Sequence, residues 1–184
     1  MKKAIFTLAV TVMVTISLSA QNIPEADIQL IDKFIQSRIS IKKENLTNDT
    51  VKKVITGSVY LVKTLYADSS SSAVLTDNRV VIKDGKLIEL EDLSTNKKLA
   101  RLFSLVRKDF TIRTEADAIV FERVLDKLYP LSWSTEKYRQ HLLKDGKWYF
   151  VRGEFFENKE AVIVTLDAGK RIINISFALE ALKK

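Results

Sequence analysis

The side chains with the chemistry to recognise or transform a ligand gather late in this chain. His141, the single histidine of 184 residues, is followed by Trp148, Arg152 and Glu154, with Trp133 upstream. If the surface they share is open, these five are the candidate ligand-binding set. The alternative is that Arg152 and Glu154 pair with each other or with neighbouring strands near the sheet surface.

Catalysis finds little to work with. There is no cysteine and no second histidine, and neither a Gly-x-Ser-x-Gly elbow nor a His-Glu-x-x-His helix occurs, so nucleophilic triads and zinc sites are excluded. Asp117, Glu122, Asp126 and Glu154 could form a carboxylate pair, but acids on an amphipathic helix ordinarily belong to its solvated face. Five glycines build no phosphate-cradling loop. The expectation is therefore no catalytic residue, no metal and no cofactor.

The elements that must position this set are strands. From Tyr138 onward the apolar period is near 2, and four segments read as an antiparallel meander: Tyr138 to Leu143, Lys147 to Phe156, Ala161 to Leu166 and Arg171 to Leu179. Asp145-Gly146, Glu157 to Lys159 and Asp167-Ala168-Gly169-Lys170 supply the turns. In the second strand Tyr149, Val151 and Phe155 alternate with Trp148, Phe150 and Phe156, so both faces are apolar. Such a strand is covered twice, and the second cover is a lid from the N-terminal half, a partner chain or a ligand.

Before the sheet the period is helical. Thr114 and Asp117 open a capping box for a helix that buries Ala118, Phe121, Val124, Leu125 and Leu128 and stops at Tyr129 before Pro130. Ser94 or Thr95 caps an earlier helix through Leu99, Leu102, Phe103 and Val106. Ile28, Ile31, Phe34, Ile35 and Ile39 predict a first helix from Pro24 to Lys42. Val51 to Tyr66 repeats at threes and fours behind an Asn48 or Asp49 cap, which reads as a helix, while its β-branched residues and Gly57 keep a strand open. Asp49-Thr50-Val51 also matches a short O-glycosylation acceptor, with helix capping as the plainer reading. Ser69 to Ser72 is a loop, and Asp84-Gly85 turns a hairpin from Arg79 to Leu90. Lys-Asp-Gly-Lys occurs at 83 and again at 144, which raises an internal duplication.

Lys2 and Lys3 ahead of an uncharged stretch from Ala4 to Leu18, closed by Ser19 and Ala20, have the pattern of a cleavable export signal over residues 1–20. Without cysteine the mature chain has no lipid acceptor and no disulfide, so it is expected to be periplasmic or secreted with no stable membrane insertion. Removing Lys2 and Lys3 leaves 28 basic residues against 23 acidic. That mild excess, without a basic stripe carrying stacking aromatics, excludes nucleic acid as partner.

The helix and meander from Thr114 to Leu179 resemble the cystatin-like and nuclear-transport-factor-like folds, in which a curved sheet wraps a helix. The Gln-x-Val-x-Gly of inhibitory cystatins is missing, so that activity is not implied. The Asp167 to Lys170 turn with its following strand also resembles the hairpins of PepSY-type exported domains. Both resemblances imply a small exported domain that binds something.

The expectation is an α+β protein: helices and a hairpin over 21–110, then a helix on a four-stranded antiparallel sheet over 111–184, the two able to form one domain. Its function reads as a non-catalytic interaction module of the bacterial cell envelope, with an envelope protein or a small ligand as partner and room for a homodimer. The alternative is a small-ligand pocket protein with weak hydrolytic activity.

Overall fold

The computed structural model describes residues 23–36, 38–67, 73–90, 93, 97–130, 140–155 and 158–180. The export signal, the Ser69 to Ser72 loop, Ser94, Thr95, Trp133, Tyr138, Phe156 and Glu157 lie outside these residues. The fold is α+β with two four-stranded antiparallel sheets. The chain divides into two compact units. The first takes the described residues up to Thr47 together with Ser58–Glu89; the second takes Asn48–Gly57 and the described residues from Leu90 onward. Residue 110 lies inside the second unit.

In the first unit helix α1, Glu25–Ile35, packs on a sheet of β1 (Ile39–Asn45), β2 (Ser58–Ala67), β3 (Ala73–Lys83) and β4 (Lys86–Glu89), neighbours in that order. Ile31 and Ile35 of the helix join Tyr60, Val62, Val80 and Ile82 of the sheet in one buried cluster. At this polar-edged interface Tyr60 Oη donates to Asp27, and Lys43 reaches Asp32. Beyond these contacts Thr64, fully buried, shares a hydroxyl contact of 2.7 Å with Thr76 and accepts from Asn78 Nδ2 at 3.3 Å.

Two expectations are corrected here. The first helix stops at Ile35 and does not reach Lys42, because Gln36 adopts a positive φ of 50° and redirects the chain into β1. The segment from Val51 to Tyr66 is not one helix. Helix α2, Asp49–Val54, ends before Gly57, whose φ of 101° suits glycine, and β2 follows. Asn48 Oδ1 accepts from Val51 N at 3.0 Å, so helix capping accounts for the Asp49-Thr50-Val51 triplet, and Val51 itself is fully buried. The N-terminal half thus holds a complete sheet, where helices and a hairpin were expected.

In the second unit α3 (Ala100–Leu105) and α4 (Glu115–Leu128) precede β5 (Gln140–Lys144), β6 (Lys147–Phe155), β7 (Asn158–Leu166) and β8 (Ile172–Glu180), again neighbours in chain order. The meander expected from period and turns is present, with left-handed Asp145 and Gly146 at its first corner and Lys170 at its last. The N-cap position of α3 is Leu99, without a side-chain cap, and not Ser94 or Thr95. Helix α2 packs on α4. Its exit is pinned by Arg107 N donating to Val54 O at 2.8 Å and Thr56 N donating to Leu105 O at 2.8 Å. The outer edge of β8 is partly covered, since Phe177 N donates to Lys97 O and Leu99 N to Ile175 O.

The start of α4 follows its sequence signature. Asp117 N donates to Thr114 Oγ1 at 3.3 Å, and Asp117 Oδ2 accepts from Thr114 N at 2.9 Å and Arg113 N at 3.0 Å. Burial pushes the Asp117 carboxyl up as the largest single influence, and the hydrogen bonds from Thr114 and Arg113 together outweigh it and hold the group below the usual range.

Thr114→Ala is expected to cost about 1 kcal/mol in urea denaturation. An Asp117→Asn variant should lose stability at pH 7, and its gap from the wild type should close as pH falls below about 4, because a depressed carboxyl stabilises only while ionised. Tyr60 gives a second titration. Burial first, and then its bond to Asp27, push the phenol up to about 12. Ultraviolet titration should show one tyrosine ionising there, and Tyr60→Phe should remove it.

Candidate functional site

The bonding of the sequence-derived set begins with a stripe of acids on α4. Glu115, Glu122 and Asp126 recur at helical spacing along the side that meets the sheet. Glu122 is buried, and its Oε2 lies 2.9 Å from His141 Nδ1 on β5. His141 Nε2 stands 3.5 Å from Glu115 Oε1. At the far end of the helix the Arg152 guanidinium donates through Nη1 to Asp126 Oδ1 at 2.7 Å and through Nη2 to the carbonyl of Tyr129, the residue that ends α4. Arg152 is 6% exposed.

Arg152 reaches that position through a β-bulge. Val151 pairs with Ala161 and Gly153 with Glu160, so Arg152 has no opposite residue in β7. A bulge bends a strand and re-aims a side chain. The bend also brings Glu160 over Gly153, where a Cβ would stand 2.9 Å from Glu160 Oε2.

Between the two polar contacts runs a series of rings. Phe121 lies 5.1 Å from Phe150, Phe150 lies 6.3 Å from Trp148, and Trp148 lies 5.8 Å from His141. The opposite face of the strand has its own buried cluster of Tyr149, Val151, Ala161 and Ile163. The two-faced reading of β6 holds for Trp148, Tyr149, Phe150 and Val151; the bulge at Arg152 then reverses the alternation, so the grouping of Phe155 with Tyr149 and Val151 is corrected. His141 and Arg152 turn to α4, through Nδ1 to Glu122 and through the two Nη groups to Asp126 and Tyr129, while Arg152 Nε is buried without a hydrogen-bond partner among the described residues and Trp148 packs between the rings of His141 and Phe150. The backbone of Glu154 pairs with Lys159. Trp133 lies outside the described residues.

Helical acids were expected to be solvated, yet Glu122 is buried and Asp126 is mostly so. Their partners come from strands, and spacing along the helix carries no sign of them. Among the described residues no group of three or more His, Cys, Asp or Glu could hold a metal, and no helix is long and apolar enough to cross a membrane.

The first unit presents a different surface. Ile39 pairs with Leu65 and Leu65 with Leu75, so three aliphatic side chains form one row across β1, β2 and β3. Ile39 is 54% exposed and Leu75 57%. The next row on the same face is charged: Lys42, Lys63 and Asp77, with Lys63 Nζ 3.3 Å from Asp77 Oδ2. Glu44 and Arg79 follow in the third row, on either side of Leu61. The sequence reading placed Ile39 in a helix stripe and passed over Leu75, since only the strand register reveals that they adjoin.

Fold and site together define an α+β protein of two helix-and-meander units. No family model, curated protein or solved structure matches the chain.

Removing the guanidinium alone breaks the bonds to Asp126 Oδ1 and to the Tyr129 carbonyl at the end of α4. Arg152→Met is expected to cost about 3 kcal/mol in denaturant unfolding, as loss of one partner from a largely buried ion pair does. Adding Asp126→Leu should recover part of that loss, and a double-mutant cycle measures how much.

Proposed function

We propose that this protein is an exported, non-catalytic interaction module of the bacterial cell envelope that binds another protein through the outer face of its first sheet. The observation that carries the reading is the aliphatic row Ile39, Leu65 and Leu75, exposed at Ile39 and Leu75 and half-buried at Leu65, beside a charged row of both signs. An apolar centre with a polar, mixed-charge border is the anatomy of a protein interface. A membrane surface rich in anionic lipid would be met by lysines without Asp77 and Glu44 among them.

The export pattern of residues 1–20 supplies the compartment. The resemblance to cystatin-like and nuclear-transport-factor-like domains rests on the helix and meander from Thr114 to Leu179, and that to PepSY-type domains on the turn from Asp167 to Lys170; both imply a domain that binds a partner. A small-ligand pocket on β6 draws less support, because His141 Nδ1 and both Nη groups of Arg152 are bonded to α4 and its terminal residue. An enzymatic role has no constellation to rest on among the described residues.

A photo-crosslinking residue at position 75 tests this in intact cells. Adducts with an envelope protein are expected at 75, not at 145 in the second unit, and Ile39→Ser should weaken them several-fold. Equal labelling at both positions would overturn the choice of surface. An adduct of twice the chain's own mass would make the partner a second copy.

A further inference from the structure

The residues on the outer face of the first sheet are ordered, and the order selects a partner. Across β1, β2 and β3 one row reads Ile39, Leu65, Leu75 and the next reads Lys42, Lys63, Asp77. The first row is aliphatic from edge to edge, whereas the second begins with a cation on β1 and ends with an anion on β3. In the third row Glu44 on β1 and Arg79 on β3 repeat that opposition with the signs exchanged, and Leu61 between them is already buried within the chain. Inside one copy Lys42 Nζ lies 2.6 Å from Glu44 Oε2 and Lys63 Nζ lies 3.3 Å from Asp77 Oδ2.

We propose, resting on the function proposed above, that the protein bound by this face is a second copy of the chain, stacked face to face about a two-fold axis that runs along β2. Rotation about that line keeps each row at its own height and exchanges β1 with β3. Ile39 then meets the second copy's Leu75, Leu65 meets its counterpart, Lys42 meets the second copy's Asp77, and Glu44 meets its Arg79. Each unlike contact occurs twice, as an isologous interface requires. Rotation about a line across the strands can also lay the aliphatic row on itself, but the charged rows of the two copies then fall on opposite sides and meet nothing of opposite sign. Only Lys63 faces its like across the axis along β2, and each Lys63 keeps the Asp77 of its own chain. Strands lie about 4.8 Å apart and alternate residues about 6.8 Å, so three strands by two open rows cover a few hundred Å², less than the roughly 800 Å² that a standard interface takes from each partner. The pairing is therefore weak, reversible and set by concentration.

Sedimentation equilibrium of the purified protein tests this. The wild type should pass from one copy to two as its concentration rises to roughly 1 mM. Lys42→Glu sets acid against acid at both symmetry-related contacts, Asp77→Lys sets cation against cation, and each alone should weaken the dimer about tenfold. An equimolar mixture of the two variants should recover it, because each supplies the charge that the other lacks. The double variant, with the net charge of the wild type, should recover it unaided. A dimer indifferent to either single change, or a double variant no tighter than the singles, would overturn the proposal. A wild type monomeric throughout would overturn it too; adducts of position 75 with a different protein would then leave the surface standing, whereas equal labelling at 75 and 145 would remove the surface as well. Should Asp77→Lys fail to fold, Leu65→Asp replaces it, and a dimer as tight as the wild type's counts against the pairing.

Discussion

One guanidinium holds the second unit in its present form. A helix that ends on a sheet leaves its last carbonyls facing apolar surroundings, where an unmet acceptor is costly. Arg152 meets that demand at the end of α4 and binds Asp126 one turn earlier, so a single side chain fixes both the end of the helix and its lateral position over β6. The bulge that interrupts the β6–β7 register between Val151 and Gly153 is what aims Arg152 there, and the rings of Phe150 and Trp148 pack on the same strand before it. Pro130 ends the helix at Tyr129, and Arg152 then meets the carbonyl that the helix leaves open.

How much of this was legible depended on whether the determining contact was local. The capping box of α4 and the corners at Asp145-Gly146 and Asp167 to Lys170 involve residues a few positions apart, and each is where the sequence places it. Helix α1 was overextended because its break falls on Gln36, a residue with no turn signature, while Ile39 continues the apolar spacing by accident. β2 was ambiguous for another reason. Val59, Tyr60, Leu61 and Val62 are all buried, and a segment buried on both faces fits any period. The candidate site shows the same division. Residue types singled out His141, Trp148 and Arg152, but their partners lie on a helix well upstream, so their role as internal ties could not be read from spacing.

The repeated Lys-Asp-Gly-Lys is instructive about duplication. In the first unit it joins β3 to β4, the third and fourth strands of the sheet; in the second it joins β5 to β6, the first two. The repeat marks one kind of tight turn used twice, and it does not align one unit with the other. What the units share is an architecture, a helix laid on four consecutive antiparallel strands, reached with different turns in different places.

Asn48–Gly57 carries the last consequence. This segment belongs to the second unit although β1 and β2, on either side of it, belong to the first. Neither unit is therefore a continuous stretch of the chain, and no single truncation isolates one of them intact. α2 is synthesised between β1 and β2, well before α4, the helix it packs on. A chain built this way cannot be cut into two intact halves, whatever independence its two sheets suggest.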